Sequence, residues 1–216
     1  MATLEVAGLS AGYGPARVLF DVALAARDGE VVALLGANGA GKSTTLKAIM
    51  GLVPRSSGEV SFNGRSLKGL DPYEIARLGL GYVPEDRRIF TDLTVDENLE
   101  VGRQAPRPHA PVWTEERLFA LFPALAPLRS RRGGRMSGGE QQMLCIARTL
   151  AGNPSAMLLD EPSEGLAPLV VEQVARAIRD VKAAGVTIVL AEQSRHFAER
   201  VADRAYVLEK GVIRDA

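Results

Sequence analysis

The chain has 216 residues, 46% hydrophobic and 24% charged, which is enough for one sizeable core and ordinary for a globular protein. Its 26 basic and 26 acidic residues balance to zero, which argues against the broad positive field of a nucleic-acid binder. The single cysteine, Cys145, excludes an intrachain disulfide and offers no zinc cluster. Its apolar neighbours Met143, Leu144 and Ile146 predict buried packing. Met1 to Ser10 lacks the basic and apolar regions of a signal peptide. The longest apolar run, Val31 to Leu35, is far short of the ~20 residues of a membrane helix. The chain is therefore expected to be soluble and cytosolic by itself, with any membrane role coming through a partner.

In chain order, Phe20, Val22 and Leu24 alternate with Asp21 and Ala23, as on a half-buried strand. Asp28-Gly29 signals a hairpin turn. Val31 to Leu35 is continuously apolar, as in a strand covered on both faces. A helical segment, Thr44 to Met50, ends at Gly51, and Glu59 to Phe62 with Asn63-Gly64 predicts another hairpin edge. Asp71 with Glu74, and Thr94 with Glu97, are capping boxes that start two helices; Gly79 suits the end of the first. Leu80 to Pro84 reads as a short strand, and Gln104 to Val112, with three prolines, as a loop. Leu118, Leu121, Phe122 and Leu125 fall on one face of an amphipathic helix. Strands follow at Ala156 to Leu159, Val186 to Leu190 and Ala205 to Leu208. A helix carrying Val171, Val174, Ile178 and Val181, with Pro168 near its start and Gly185 after its end, lies between the first two. Strand–helix alternation on both sides of a helical middle predicts an α/β protein with a parallel core. The expected division is 1–84 and 152–216 for the core with its antiparallel β portion, and 85–151 for a helical insert.

Three segments carry chemistry. Gly36, Ala37, Asn38, Gly39, Ala40, Gly41, Lys42 and Ser43 fit G-x-x-x-x-G-K-[ST], between a buried strand and the helix that Thr44 opens. In that context the glycines let backbone N–H groups cradle phosphate oxygens, Lys42 reaches the terminal phosphates, and the Ser43 hydroxyl coordinates Mg²⁺. Asp160 and Glu161 end an apolar strand, where buried carboxylates need a cation or hydrogen bonds. In a phosphate-loop protein Asp160 would hold Mg²⁺, and Glu161 would polarise the water that attacks the γ-phosphate of ATP. Ser137, Gly138, Gly139 and Glu140 precede a helical run to Ala151. Ser137 and Glu140 make a capping box, but two glycines in a first turn also imply close approach of another group, such as a phosphate.

These segments, in this order and spacing, resemble the ATPases of ABC transporters, and the resemblance covers essentially the whole chain. It implies a P-loop NTPase fold, with a RecA-like parallel core, an N-terminal antiparallel β portion and an inserted helical subdomain. It implies a head-to-tail dimer with a second ABC ATPase subunit, identical or different. Each ATP would lie between one subunit's phosphate loop and the other's Ser137, Gly138 and Gly139. Tyr13 stands where the family stacks an aromatic ring on adenine. Glu85 replaces the usual glutamine as a partner of the Mg²⁺-bound water. Gln193 replaces the usual histidine facing the γ-phosphate, and Ala167 replaces the usual aspartate after the acidic pair. Tyr82 to Phe90, Leu93 to Leu99, Glu161 to Pro168 and Ala202 to Glu209 resemble ATPases of branched-chain amino-acid importers. The urea and short-amide importers are close to these. That resemblance implies transmembrane permease subunits, an external solute-binding protein and a place on the cytoplasmic face of the membrane. It also implies that Glu85 to Phe90 links the γ-phosphate site to the permease groove, and replacing Arg87 and Arg88 there is expected to uncouple transport while sparing basal ATPase. Arg129, Arg131, Arg132 and Arg135 read as a solvated basic run, and His109 and His196 have no metal-like spacing.

Overall fold

A computed structural model describes residues 2–108 and 110–215; His109 lies outside the described residues. Strands β1 (Ala2–Tyr13), β2 (Ala16–Arg27), β4 (Arg55–Phe62) and β5 (Arg65–Ser66) form an antiparallel sheet in the order β2-β1-β4-β5. The larger sheet runs β10-β9-β3-β8-β7-β6, from β3 (Val31–Leu35), β6 (Leu80–Val83), β7 (Ala156–Asp160), β8 (Thr187–Glu192), β9 (Arg204–Glu209) and β10 (Val212–Asp215). All its pairs are parallel except β9 with β10.

The continuous apolar runs of β3, β7 and β8 are explained by two cores, one on each face of this sheet. Val31, Met157, Leu159, Ile188 and Leu190 face the helices α4 (Glu115–Leu121), α5 (Gly138–Ala151) and α6 (Pro168–Ala183). Val32, Leu34, Leu158 and Val189, at alternating positions, face α1 (Lys42–Ile49) and the antiparallel sheet. Cys145 and Trp113 are buried in the first core, as packing residues. The helices α2 (Pro72–Arg77) and α3 (Val95–Gly102) start at the expected capping boxes. A short α7 (Arg195–Glu199) leads from β8 into β9.

Three sequence expectations are corrected. Phe20 is 41% exposed, while Val22 and Leu24 are buried. Asp21 sits at φ 53° beside register shifts between β1 and β2, and this breaks the alternation. Asp28-Gly29 makes a turn but no hairpin: β3 leaves the antiparallel sheet and pairs with β8 and β9, because both its faces must be covered. The face marked by Leu118 to Leu125 is not one helix. α4 stops at Leu121, and Pro123 opens a separate 3₁₀ segment, Pro123–Leu128, since proline cannot supply the N–H that α-helix continuation needs. The apolar face survives the break, with Leu118, Phe122 and Leu125 all buried.

Candidate active site at the phosphate loop

Strands β3, β8, β7 and β6 lie side by side in the sheet, and their carboxyl ends meet at one edge. In open α/β sheets this edge is where ligands bind. The end of β3 delivers residues 36–43, the end of β8 delivers Glu192, the end of β7 delivers Asp160 and Glu161, and Glu85 follows β6.

The loop's shape is set by its glycines. A Cβ on Gly36 would stand 2.5 Å from the Leu208 carbonyl oxygen, so the loop passes β9 at a distance only glycine permits. Gly41, at φ 111°, turns the chain into α1 and gives that helix no side-chain cap. Among the described residues, the N–H groups of Asn38, Gly39, Gly41, Lys42, Ser43 and Thr44 meet no acceptor. Six free donors at a helix N-terminus form a cradle for an anion. This cradle fits the triphosphate that the motif implies.

The side chains converge in two pairs. Lys42 Nζ is buried, 3.0 Å from Glu161 Oε1, and donates to the carbonyls of Gly36 at 2.8 Å and Ala37 at 3.1 Å. Ser43 Oγ donates to Asp160 Oδ1 at 2.8 Å, and the Tyr82 hydroxyl donates to Asp160 Oδ2 at 3.1 Å. Burial pushes the Asp160 carboxyl above its ordinary value, and the hydrogen bonds from Ser43 and Tyr82 only partly oppose this. The Tyr82 phenol is pushed up by burial and by the charge of Asp160, so it stays a donor. Glu161 leaves the strand at φ 46°, with its N–H held by the Ala191 carbonyl at 2.9 Å. This left-handed turn puts two consecutive carboxylates to different uses, one on Ser43 and one on Lys42.

Asn38, Gly39, Gly41, Lys42, Ser43, Thr44, Glu85 and Glu161 line one cavity of about 530 Å³, together with Val18 and Glu164. Gly36, Ala37 and Ala40 belong to the same loop but not to the lining; Ala40 is buried, and its N–H donates to the Ala37 carbonyl at 3.1 Å. Asp160, fully buried, sits beneath Ser43. Its Ser43 neighbour supplies a second hard oxygen, while no group of three or more acidic, His or Cys ligands occurs among the described residues. A cation here would take most of its ligands from phosphate and water, which suits Mg²⁺.

Other expected site residues are not brought to this cavity within one chain. Tyr13, at the end of β1, is 45% exposed and outside the lining. Gln193 is also exposed and outside it. Ser137, Gly138, Gly139 and Glu140 start α5 and line no part of the cavity. Ser137 Oγ accepts from Glu140 N at 3.3 Å, and Glu140 Oε2 accepts from Ser137 N at 2.7 Å, completing the capping box. Within this chain two side chains approach the glycines. A Cβ would stand 2.8 Å from the Arg87 guanidinium at Gly138 and 2.9 Å from Val170 at Gly139.

Sequence reasoning missed three polar residues here. Tyr82 gives Asp160 its second donor, a role readable only once β6 is known to pair with β7. Glu192 is buried, accepting from Ser163 N at 3.1 Å and Ser194 N at 3.3 Å, and burial raises its carboxyl above the ordinary value. Glu164 lines the cavity, and its position four residues after Asp160 was the available signal.

Known proteins resemble the chain over nearly all of its length. The family described as ABC transporter matches residues 19–164. The chain is 44% identical over 205 residues to the high-affinity branched-chain amino acid transport ATP-binding protein BraG of Pseudomonas aeruginosa, covering 95% of this chain and 88% of that one. It is 36% identical over 213 residues to the lipopolysaccharide export system ATP-binding protein LptB of Escherichia coli, covering 98% and 88%. A solved ATP-binding subunit of an ABC transporter superposes with TM-score 0.82 at 33% identity, covering 98% of this chain and 88% of that one. The family match takes in the phosphate loop, the Ser137 turn and the Asp160–Glu161 strand end together, and so the chain belongs to the ABC transporter family, as one of its ATP-binding, ATP-hydrolysing subunits.

Proposed function

We propose that this subunit drives import of branched-chain amino acids through a separate transmembrane permease. The observation that carries the catalytic part is the pairing of Lys42 with Glu161 and of Ser43 with Asp160 under six open N–H donors. The donors and Lys42 hold the triphosphate, with Lys42 exchanging Glu161 for phosphate oxygens. Ser43 and Asp160, with Glu85 at the rim, hold Mg²⁺, which when bound supplies positive charge to the phosphate oxygens. Released from Lys42, Glu161 orients the attacking water and accepts its proton. A second cassette contributes Ser137, Gly138 and Gly139 across the interface, Tyr13 stacks on adenine, and Gln193 donates a hydrogen bond to the γ-phosphate. The 85–151 insert carries the signature turn, while 1–84 and 152–216 carry the phosphate loop.

No helix among the described residues is long and apolar enough to cross a membrane, so the permease supplies membrane attachment, on the cytoplasmic face. A groove lined by Tyr73, Phe90, Val101 and Arg148 is its docking place. It borders the segment that begins at Glu85, and Tyr73, Phe90 and Val101 are exposed there. Of the two arginines in that segment, Arg88 is exposed and pairs with Asp86, so it suits a coupling role. Arg87 packs on Gly138 instead.

Identity to BraG, 44% against 36% for LptB, favours amino-acid import over lipopolysaccharide export, the second reading. The test is uptake of labelled leucine by native cells lacking this gene, complemented with wild type or Glu161→Gln. Uptake restored by wild type alone supports import. Uptake unaffected by the deletion, with lipopolysaccharide missing from the surface, supports the second reading.

A further inference from the structure

The phosphate-loop cavity is electrically unbalanced. Among its described lining residues, Lys42 is the one cation, facing Glu85, Glu161 and Glu164. Lys42 is already matched, by Glu161 at 3.0 Å and by two carbonyls. Glu85 and Glu164 therefore face the cavity with no ion-pair partner among the described residues. Glu164 is held there by a tight turn, in which its N–H donates to the Glu161 carbonyl at 3.1 Å. Its carboxyl is exposed at the cavity mouth; the adjacent Glu161 carboxyl foremost, and the charges of Glu85 and Glu192, raise its hold on a proton. Like-charge repulsion is present before any ligand arrives.

An incoming triphosphate adds to it. The open N–H groups favour the anion, but the unmatched carboxylates oppose it. Free ATP carries roughly twice the negative charge of its magnesium chelate. We propose that Glu164, acting with Glu85, is a specificity-determining residue that makes nucleotide binding itself, and not only hydrolysis, conditional on a divalent cation. The phosphate site discriminates against free ATP and accepts the chelate, because the cation held beside Ser43 and Asp160 stands between phosphate and carboxylates. This rests on the reading of residues 36–43 as the nucleotide site.

The experiment is calorimetric titration of the purified chain with ATP, once with magnesium and once with EDTA. The proteins are wild type, Glu164→Gln, the Glu85→Gln/Glu164→Gln double variant, and Glu100→Gln as a surface control that pairs with Arg103. The wild type binds at least about 30-fold more tightly with magnesium; Glu164→Gln shrinks that ratio about fivefold by improving magnesium-free affinity, and the double variant shrinks it further, to within about threefold of unity. Glu100→Gln keeps the wild-type ratio. A wild-type ratio below about threefold, or a ratio unchanged in Glu164→Gln, overturns this inference and leaves the nucleotide site standing. Absence of ATP binding even with magnesium overturns both.

Discussion

At the scale of single residues, the site is organised by donors and acceptors that would be costly to leave unpaired. Lys42 and Glu161 are both buried, and removing one leaves the other as an uncompensated charge. Glu161→Gln keeps the shape and a hydrogen-bond acceptor while removing the base. Its steady-state ATP turnover is expected to fall by roughly 10²–10⁴-fold, with ATP affinity retained; turnover and equilibrium binding measured on the same preparation check this. Asn98 illustrates the structural side. It is fully buried, accepts from Phe90 N at 2.9 Å, and donates to the carbonyls of Phe90, Leu93 and Thr94 at 3.0, 3.2 and 2.9 Å. Asn98→Ala strands those groups and is expected to cost about 2–3 kcal/mol in urea unfolding. The loop lysine and the acidic pair were legible in the sequence because spacing alone defines them. Tyr82 and Glu192 were not, because Asp160 and Ser163 come beside them only in the fold, and Asn98 was not, because its partners are backbone groups of a preceding turn that no side-chain pattern marks.

At the scale of elements, capping chemistry and apolar periodicity predicted α2, α3, α5 and α6 well. The misreadings have a common cause. Alternation at Phe20, the turn at Asp28 and the face from Leu118 to Leu125 are local patterns overridden by a bulge, by two-sided burial and by a proline. The end of β8 makes a testable case of tertiary control. Burial of Glu192 raises its folded-state value above the ordinary 4.5. Between the two values the native state holds a proton that the unfolded chain has released. Stability therefore falls as pH rises through this window, and the loss persists above it. Glu192→Gln removes the titration. Thermal melts at about pH 4 and about pH 8 should show the variant gaining on wild type at the higher pH. An equal difference at both pH values would place the titrating cost elsewhere.

At the scale of the whole molecule, one chain holds only part of the reaction centre proposed for it. The phosphate loop and Glu161 line one cavity, with Asp160 buried beneath Ser43, whereas the Ser137 turn opens elsewhere on the surface. Its capping box already satisfies that helix start within the chain, so the intrachain geometry gives the segment a structural role beside the one proposed for it across the interface. The resemblance in the sequence made this division legible before any coordinates, since the three motifs carry their roles by order and spacing. What it could not convey is the acidity of the cavity, which depends on Glu85 and Glu164 converging from different strand ends.

The proposed shared site is tested most directly by light scattering on Glu161→Gln with and without Mg·ATP, bound nucleotide being measured in the same samples. The account predicts monomer mass without nucleotide and twice that mass with it, and a return to monomer when Ser137→Arg is added to the same chain. Nucleotide bound at the loop with the mass unchanged, both alone and after candidate partner ATPase subunits are added, would contradict it.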